Sequence, residues 1–373
     1  MKENIAHIRI RFLRITETFI YEEIKSIRKY QPFVFCIKTE NLDKFPFENI
    51  ESLSNLNPVS YAFNSIYWLK FKKCPYFEKV IRKENIKLLH AQYGREGICA
   101  ISLKDKFDIP LITNFRGWDS STFIKNNPRV YDELFQKGDL FLARCQDMKK
   151  DLIGLGCPEK KIIVHHSSID LKKFRFKIRK PVDKNEKIKI LLVGRFVEAK
   201  GIDHAIKAFA KVRENYQNIY LTIIGDGPEK NKYKKLIGVL GITNDVKLTG
   251  YQPHNKVIEE MGKSHIYMCS PFVDRKGEKE GTNNTFAEAQ ATGMPTIGTY
   301  HAGIPEAVIN GKTGFLVKEK DIDGLSNKLS YLIEHQDLWE KLGRNGRKHI
   351  EKEFNMKIQS RKLEKIYDTV LSS

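Results

Sequence analysis

The chain has 373 residues, which is long enough for two domains with separate apolar cores and too long for a small scaffold held by disulfides. Hydrophobic residues make up 41% and charged residues 30% of the sequence, a balance that excludes an intrinsically disordered protein. Basic residues outnumber acidic ones by 19, with an excess of 13 in residues 1–180 and 6 in 181–373, so we expect an anionic partner for the first half, either an acidic membrane surface or nucleic acid.

Short apolar runs alternate with amphipathic stretches from residue 86 onward. This alternation is typical of repeated strand–helix units and predicts a parallel sheet flanked by helices. The alternation stops at 175–186, which are charged, contain Pro181 and lack periodicity, so we place a domain boundary at 178–187. The segments that alternate before it are 86–90, 97–107, 111–115, 140–145, 148–154 and 162–166.

The alternation restarts with a predicted buried strand at 188–193 and an amphipathic helix at 201–212. Two doubly wound sheets in series predict a ligand site in a cleft between the domains, outside the carboxyl ends of the strands. The later strands are predicted at 220–224, 246–248, 266–269, 296–298 and 315–317. The expected domains are 1–178 and 187–350, and 351–373 is expected to form a terminal helix that crosses back to the first domain.

Two glycine-containing motifs resemble nucleotide-binding loops, but each lacks a required residue. Residues 311–313, Gly-Lys-Thr, would end a phosphate-binding P-loop, yet Glu306 occupies the position of its first glycine. Residues 225–227, Gly-Asp-Gly, follow a predicted strand, but Lys230 stands where a dinucleotide fingerprint has its third glycine. We therefore exclude a P-loop NTPase and do not favour a dinucleotide-dependent dehydrogenase.

The acidic, histidine and cysteine residues do not form a metal-binding pattern. Asp321 and Asp323 open a predicted helix, where we expect acidic residues to cap backbone N–H groups rather than bind a metal. His204, His254 and His301 have no metal-ligand spacing. The six cysteines are far apart, so we expect buried free thiols rather than disulfides or zinc ligands. They are Cys36, Cys74, Cys99, Cys145, Cys157 and Cys269.

Two cations flank the loop after the predicted strand at 188–193. Gly194 and Arg195 follow the strand, and Lys200 precedes the next helix, whose first N–H groups have no partner within the helix. Together these groups could hold a diphosphate. A helix dipole contributes only about 0.3–1 kcal/mol to the binding free energy, whereas each charge-assisted hydrogen bond contributes about 1.5–3 kcal/mol. The two cations would therefore supply most of the binding free energy. The alternative is two ordinary surface cations among the 65 in this chain.

The segment EGTNNTFAE at 280–288 joins a loop to a predicted helix. The loop carries Glu280 and turns at Gly281, so the free N–H groups of the helix should face the carboxyl end of the strand at 266–269. Glu288 lies about two turns further along, near the same face, and could accept hydrogen bonds from both hydroxyls of a ribose. An Ala-x-x-x-Gly-x-Pro motif and another strand follow, which makes the pattern more specific than two glutamates alone.

With these motifs the chain resembles the retaining GT-B glycosyltransferases of family 4, also called glycosyl transferases group 1. The resemblance covers nearly the whole length and implies an α/β fold with two Rossmann-like doubly wound domains facing across a cleft. The motifs that carry it are VGRFVEAKG at 193–201, IIGDGP at 223–228, VKLTGYQP at 246–253, EGTNNTFAE at 280–288, ATGMPTIGT at 291–299 and AGIPE at 302–306.

The resemblance implies roles for the residues of the second domain. Arg195 and Lys200 would hold the donor diphosphate, Glu288 would hold the ribose, and Glu280 would contact the transferred sugar near the reacting centre. A proline that is common in the family near Asn283 is absent, and Asn284 offers an amide that could read a sugar hydroxyl. The other implied donor-binding positions are the backbone of Gly194, Gly281, Thr282, Asn283 and Asn284, which would cradle phosphate and sugar, and Gly225 and the turn after Gly250, which would flank the base.

The first domain resembles the exopolysaccharide-type branch of the family. Thr16 and Glu17 open the first helix and His90 follows a strand, as in that branch, where this opening replaces a glycine-rich loop. Residues near Arg116 and Asp119 occupy the place of the His-Gly-x-Asp segment of the branch, but Arg116 stands where the branch has histidine. These five residues are our candidates for the acceptor side. Arg116 could pair with Asp119 or contact a donor or acceptor phosphate.

The resemblance implies transfer of a hexose from a UDP- or GDP-sugar to a saccharide or lipid-linked acceptor in surface polysaccharide biosynthesis. It further implies retention of the anomeric configuration without a metal ion or other cofactor. The predicted cations and helix N-terminus lie where negative charge develops on the leaving diphosphate, which would lower the barrier electrostatically. Front-face attack by the acceptor, with the departing phosphate taking its proton, fits the family.

Residues 61–73, YAFNSIYWLKFKK, combine five aromatic residues with three lysines and no acidic residue. The segment could be a helix that lies in an anionic lipid headgroup layer, or a helix packed on the sheet with solvated lysines. No run approaches the roughly 18 apolar residues of a membrane-spanning helix, and residues 1–10 do not resemble a signal peptide. We therefore expect a cytoplasmic protein, with peripheral attachment at the inner face of the membrane as a hypothesis.

Two other classes of function are weaker alternatives. A GT-B epimerase would release nucleotide without an acceptor. A phosphorylase would need a lysine that binds its cofactor, and the sequence has no suitable context for one. A non-enzymatic protein that binds nucleic acid would need a recognisable reading module, and none is present. We therefore expect no nucleic acid partner.

Overall fold

The computed structural model describes residues 2–14, 17–117, 119–125, 127–183, 185–279 and 284–372. The chain divides into two compact units. The first unit runs to Ser168 and includes the chain from Met356 onward, and the second unit is Ile169–Asn355.

The described residues of the first unit form a seven-stranded parallel sheet in the order β3-β2-β1-β4-β5-β6-β7. The strands are β1 (Asn4–Phe12), β2 (Gln31–Thr39), β3 (Ile50–Ser52), β4 (Ile86–Ala91), β5 (Leu111–Asn114), β6 (Leu140–Ala143) and β7 (Ile162–Val164). The helices are α1 (Thr18–Ser26), α2 (Pro58–Phe71), α3 (Pro75–Lys83), α4 (Gly94–Phe107), α5 (Thr122–Lys125), α6 (Asp132–Lys137), α7 (Gln146–Gly154) and, at the end of the chain, α15 (Met356–Leu371).

Alternating side chains of the first sheet enter two apolar clusters on its opposite faces. Ile8 and Leu89 pack in one cluster with residues of the flanking helices, while Ile5 and Leu88 pack in the other against Leu363 of α15. This is the pattern of a sheet covered on both faces, in which neighbouring residues of a strand are all buried.

The terminal helix α15 packs on the first unit through both apolar and polar contacts. The Glu364 carboxylate accepts hydrogen bonds from the backbone N–H groups of Arg28 and Lys29, at 2.5 and 2.7 Å. The Tyr367 ring is fully buried and packs edge-on against Tyr30. These contacts make the last helix part of the first unit.

The described residues of the second unit form a six-stranded parallel sheet in the order β10-β9-β8-β11-β12-β13. The strands are β8 (Ile188–Val193), β9 (Ile219–Ile224), β10 (Val246–Leu248), β11 (Ile266–Met268), β12 (Thr296–Thr299) and β13 (Gly314–Val317). The helices are α8 (Ile202–Asn215), α9 (Lys230–Val239), α10 (His254–Lys263), α11 (Asn284–Ala291), α12 (Ile304–Ala307), α13 (Ile322–Glu334) and α14 (Leu338–Glu353).

The division between the units, after Ser168, lies earlier in the chain than the predicted boundary at 178–187, because residues before and within that stretch already pack on the second unit. Phe174 is buried in the second apolar cluster. The Arg179 guanidinium is buried and donates to the backbone oxygens of Ser264, Thr292 and Met261 at 2.7–2.9 Å. The composition of this segment therefore does not mark the place where packing changes.

The predicted α/β architecture with two doubly wound parallel sheets is confirmed, whereas β1, β2 and β3 were not predicted. The six cysteines are free and buried, as expected. Asp321 caps α13, since its Oδ1 accepts the Gly324 N–H at 2.7 Å, which confirms that interpretation. Across the described ranges, no helix combines the length and apolar character needed to cross a membrane.

Candidate active site

The loop between β8 and α8 brings Lys200 back over the end of β8. Lys200 ends a short 3-10 turn, and its side-chain carbons lie 3.4–3.6 Å from where a Cβ on Gly194 would be. Gly201 follows with φ +60°, and a Cβ there would come within 1.9 Å of the Ser270 carbonyl oxygen, so the turn requires glycine. Lys200 is only 7% exposed, which shows that the fold holds its stem in one place.

Three of the glycines predicted to bind donor meet at the carboxyl ends of β8, β9 and β10. The Gly194 N–H donates to the Ile224 oxygen at 3.0 Å, and the Gly225 N–H donates to the Gly250 oxygen at 3.1 Å. A Cβ on Gly225 would lie 1.8 Å from the Gly194 oxygen. The backbone segments therefore approach closely because these residues lack side chains.

Arg195 lies beside this glycine cluster with its side chain 60% exposed. Its Nη2 is 3.4 Å from Oε1 of Glu278, an ion pair that was not predicted from the sequence. An exposed pair of this kind contributes at most about 1 kcal/mol, so an anionic ligand could replace Glu278 as the partner of Arg195.

The first turn of α11 is connected to the end of β8 through a tyrosine. The Tyr267 hydroxyl lies 2.5 Å from Thr285 Oγ1 and 3.3 Å from the Val193 oxygen. Glu288, one turn further along α11, is 13% exposed, and its Oε1 is 3.5 Å from Nε2 of His254, the first residue of α10. The sequence did not predict this contact between His254 and Glu288.

Four of the predicted donor-site residues, Glu280, Gly281, Thr282 and Asn283, lie outside the described residues, so their roles stay predictions. Asn284 is the first residue of α11. A cavity of about 330 Å³ lies beside Gly250, lined by the end of β9, by β10 with its following turn and by α10. Thr249, Gln252 and Lys256 offer polar groups at its wall.

The candidate residues of the first unit lie in buried networks at the carboxyl edge of the first sheet. Arg9 of β1 donates to both oxygens of Glu96 at 2.9 and 3.1 Å, and it also pairs with Glu17. The Tyr93 hydroxyl donates to Glu17 at 3.3 Å. Glu17 is therefore held by neighbouring side chains, while Thr16 lies outside the described residues.

Arg116 is buried and does not form an ion pair with Asp119, although both residues belong to the described part of the chain. Its Nη2 donates to Gln92 Oε1 at 2.9 Å, and the guanidinium lies over the rings of Phe19 and Tyr93, at 4.6 and 5.4 Å. Burial lowers the pKa of Arg116 to about 10.

The Asp119 carboxylate is held by neutral donors instead. It accepts the backbone N–H of Arg116 at 3.1 Å and the Tyr131 hydroxyl at 3.3 Å. Burial raises the pKa of Asp119 to about 7. Of the two roles considered for Arg116, the ion pair is thus not formed, and contact with a phosphate stays a prediction.

His90 faces the core of the first unit and is fully buried. Its Nδ1 lies 2.7 Å from the Tyr367 hydroxyl of α15, and its ring packs 4.9 Å from His7. Burial lowers the pKa of His90 well below its ordinary value, which keeps the ring neutral. The structure therefore places this acceptor-side candidate in the packing of the terminal helix.

A buried ion pair that was not predicted from the sequence joins α1 to the end of β6. The Glu23 carboxylate lies 2.8 Å from Arg144 Nη2, and both side chains are at most 7% exposed. Burial alone would raise the pKa of Glu23, but Arg144 and Arg116 outweigh it and hold that pKa far below its ordinary value. Within the described ranges, no three acidic, histidine or cysteine side chains are grouped as metal ligands.

Sequence comparisons with known proteins agree that the chain resembles glycosyltransferases. The family described as Glycosyl transferases group 1 matches residues 173–349, and the family described as Glycosyltransferase Family 4 matches residues 17–173. WcaL of Salmonella typhimurium, a glycosyltransferase assigned to colanic acid biosynthesis, is 27% identical over 75% of this chain and 70% of its own length. The amylovoran biosynthesis glycosyltransferase AmsK of Erwinia amylovora is 29% identical over 69% of this chain and 63% of its own length.

Solved structures extend the agreement to the fold. HepE of Anabaena, solved with UDP and glucose, has a TM-score of 0.78 and 17% identity, covering 98% of this chain and all of its own. The lipopolysaccharide outer core galactosyltransferase WaaB has a TM-score of 0.74 and 18% identity, covering 98% of this chain and 99% of its own. The predicted GT-B fold is confirmed, and the two family matches span both units: the chain belongs to the family 4 glycosyltransferases, the glycosyl transferases group 1.

Proposed function

We propose that the protein transfers a hexose from a nucleoside-diphosphate sugar, with UDP or GDP as the carrier, to a saccharide or lipid-linked acceptor. We further propose that transfer retains the anomeric configuration, needs no metal ion, and serves surface polysaccharide biosynthesis in the cytoplasm. The colanic acid and amylovoran names of WcaL and AmsK support the polysaccharide part. The UDP and glucose bound to HepE support the nucleotide-sugar part.

The observation that carries the proposal is the meeting of Lys200, Gly194 and Gly225 at one edge of the second sheet. The glycine backbones leave room for a ligand to approach the ends of the strands. Lys200 and Arg195 supply two positive charges there, and α8 begins directly after Lys200. A diphosphate is the anion that such an arrangement fits best.

In this proposal the two cations act on the leaving group. Negative charge grows on the diphosphate as the bond to the sugar breaks, and Lys200 is already fixed in place by its buried stem. A fixed charge stabilises that state without having to reorganise, which lowers the barrier. The acceptor hydroxyl attacks the sugar from the face that the diphosphate leaves, and the departing phosphate takes its proton.

Glu288 is proposed to hold the ribose, because a carboxylate can accept from two neighbouring hydroxyls. Its partner His254 fixes the carboxylate on α11 beside the start of α10. The cavity next to Gly250 is proposed to take the base, and Glu280 is proposed to contact the transferred sugar. The acceptor is proposed to meet the edge of the first sheet that contains Glu17 and Arg116.

A thermal-shift panel of UDP, GDP and their common sugars tests the proposal. A ligand that binds only the native state raises the Tm by mass action, so one diphosphate and its sugar should give a shift that the Lys200→Ala variant loses. Turnover in the presence of a chelator tests the independence from metal, and proton NMR of the product tests retention. No shift with any sugar nucleotide would contradict the proposal.

A further inference from the structure

One long side of the helix α2 is exposed in the described part of the chain. We define its outer face as Val59, Phe63, Ile66, Tyr67 and Lys70, which recur at helical spacing. Val59 is 79%, Ile66 56% and Phe63 44% exposed. With Leu69 and Phe71 at its margins, the helix carries six of the sixteen exposed large hydrophobic side chains among the described residues.

The opposite side of α2 is packed firmly on the first unit. Trp68 is fully buried and meets Phe77 edge-on, with ring centres 5.4 Å apart. Asn64 Oδ1 accepts the Tyr76 N–H at 3.0 Å, which ties the helix to the start of α3. The helix is therefore apolar on both sides, although only one side packs against other residues that the structure describes. Such a helix is typical of an element that lies at an interface.

The aromatic residues of the exposed side form a row. The rings of Phe63 and Tyr67 have centres 4.2 Å apart, and those of Tyr67 and Phe71 are 5.2 Å apart. Aromatic side chains, above all those with a polar tip such as Tyr67, are favoured where an apolar layer meets water.

The charges around α2 indicate an anionic partner. Residues 52–77 contain no acidic residue and three lysines, all at the end of the helix. The Lys72 ammonium donates to the Leu69 oxygen at 3.0 Å, while Lys70 and Lys73 are exposed. Long lysine stems can cover apolar surface and place their charge among anionic groups.

We propose that the outer face of α2 binds the headgroup layer of an anionic lipid bilayer. The helix lies along the surface, its apolar and aromatic side chains enter the boundary of the acyl region, and Lys70 and Lys73 contact lipid phosphates. This inference goes beyond the transfer reaction and does not depend on it.

A second copy of the chain fits this surface less well than lipid does. A two-fold interface must be complementary to itself, so the same patch would have to supply a partner for each of its own charges. The stretch 52–77 has lysines but no carboxylate, so the cations of two facing helices would find no counter-charge there. A lipid layer supplies both the apolar region and the anions.

Flotation of the full chain with vesicles tests the proposal. One set of vesicles contains phosphatidylcholine alone, and the other contains equal parts of phosphatidylcholine and phosphatidylglycerol. We expect the protein to float with the anionic vesicles and to bind the neutral ones weakly. Wild-type protein that stays unbound with both would overturn the proposal.

Two double variants separate the apolar and charged contributions. Phe63→Ser with Ile66→Ser should weaken binding to anionic vesicles by at least about tenfold. Lys70→Gln with Lys73→Gln should weaken it by about fivefold per lysine and should remove the preference for anionic lipid. The matched control, Val239→Ser with Ile309→Ser, changes side chains that are 75% and 37% exposed in the second unit, outside the proposed donor site, and should bind like wild type.

Light scattering of the same proteins distinguishes lipid binding from self-association. A wild-type dimer that becomes a monomer in the Phe63→Ser, Ile66→Ser variant would overturn the proposal in favour of a second copy. Equal vesicle binding by wild type and that variant would overturn it as well. The thermal shift with sugar nucleotides should persist in every variant. A loss of vesicle binding can therefore be told apart from a loss of sugar-nucleotide binding.

Discussion

The two units place polar residues at the same topological position, the carboxyl edge of a parallel sheet, but use them differently. At the edge of the second sheet, Arg195 is exposed and the backbone approaches closely through Gly194 and Gly225. At the edge of the first sheet, Arg144 is buried against Glu23 inside the protein. A charge paired internally contributes mainly to stability, whereas a charge held near solvent remains available to a ligand. The comparison therefore predicts stability effects in the first unit and binding or rate effects in the second.

The largest effect is expected from breaking the buried pair of the first unit. Glu23→Gln removes the negative charge but keeps the shape, which leaves Arg144 buried without a counter-charge. Loss of one partner of such a pair costs about 3–5 kcal/mol, and urea denaturation should show this decrease. Asp105→Asn, which removes the exposed pair with Lys137, is the control and should change stability by less than about 1 kcal/mol. Similar stabilities for the two variants would contradict the comparison.

The second-largest effect is expected on the rate of transfer. Lys200→Ala should lower kcat by about 10²–10³-fold, the usual loss when one fixed donor to a developing charge is removed. Both proteins are compared well below their Tm values, because alanine also removes the buried stem of Lys200. Lys211→Ala on α8, whose partner Asp323 is exposed, serves as the control. A kcat like that of wild type would remove Lys200 from the proposed mechanism.

A smaller effect on donor affinity is expected from α11. Glu288→Ala should raise the KM for the donor by about 10- to 100-fold, as expected for the loss of one charged hydrogen-bond acceptor, and should leave kcat nearly unchanged. Steady-state kinetics at varied donor concentration measures both values. Glu340→Gln, on the surface of α14, is the control. A fall in kcat at constant KM would mean that Glu288 acts on the reaction and not on the ribose.

The pH dependence of stability should reveal the raised pKa of Asp119. The pKa of Asp119 is raised to about 7 in the folded state, so the protonated carboxyl stabilises the fold at low pH. This contribution is lost as the pH rises through the folded-state pKa. His7 and His165 have pKa values lowered to about 4 by burial and act with the opposite sign, since their contribution is lost as the pH falls. Asp119→Asn imitates the protonated acid. Raising the pH from about 5 to about 8 should therefore increase the Tm more in this variant than in wild type, and parallel curves would contradict the assignment.

The smallest effect is expected at the exposed pair of the second unit. Glu278→Gln removes the partner of Arg195 and should strengthen diphosphate binding by no more than about fivefold, because an exposed pair contributes at most about 1 kcal/mol. Calorimetry at low and high salt measures the change, which should shrink as salt screens the charges. Weaker binding in this variant would show that Glu278 supports the ligand and does not compete with it.

The sequence was most informative where backbone geometry demands a particular residue. Gly194, Gly225 and Gly250 were predicted to belong to one site, and the structure brings their backbones together. The strands of the second sheet were predicted within one or two residues, because their apolar runs are short and bounded by turns. Only glycine fits where two backbone segments approach this closely, so its positions in the sequence indicate such contacts.

The sequence was least informative where polar groups are buried in pairs. β1 was missed because His7 and Arg9 interrupt its apolar pattern, although both side chains are buried and Arg9 is neutralised by Glu96 and Glu17. The contacts of His254 and Glu278 were missed for a related reason. Each joins residues that are distant along the chain, and only the fold brings them into contact.

Hydrogen exchange in the presence of UDP or GDP tests the central claim most directly, because it reports on both sheet edges in one experiment. The account predicts that one of these diphosphates slows amide exchange at 194–201 and 225–227 in wild type and that Lys200→Ala reduces this protection. Protection confined to 92–96 and 114–117 in the first unit, or none with either diphosphate, would contradict the assignment of the donor to the second sheet.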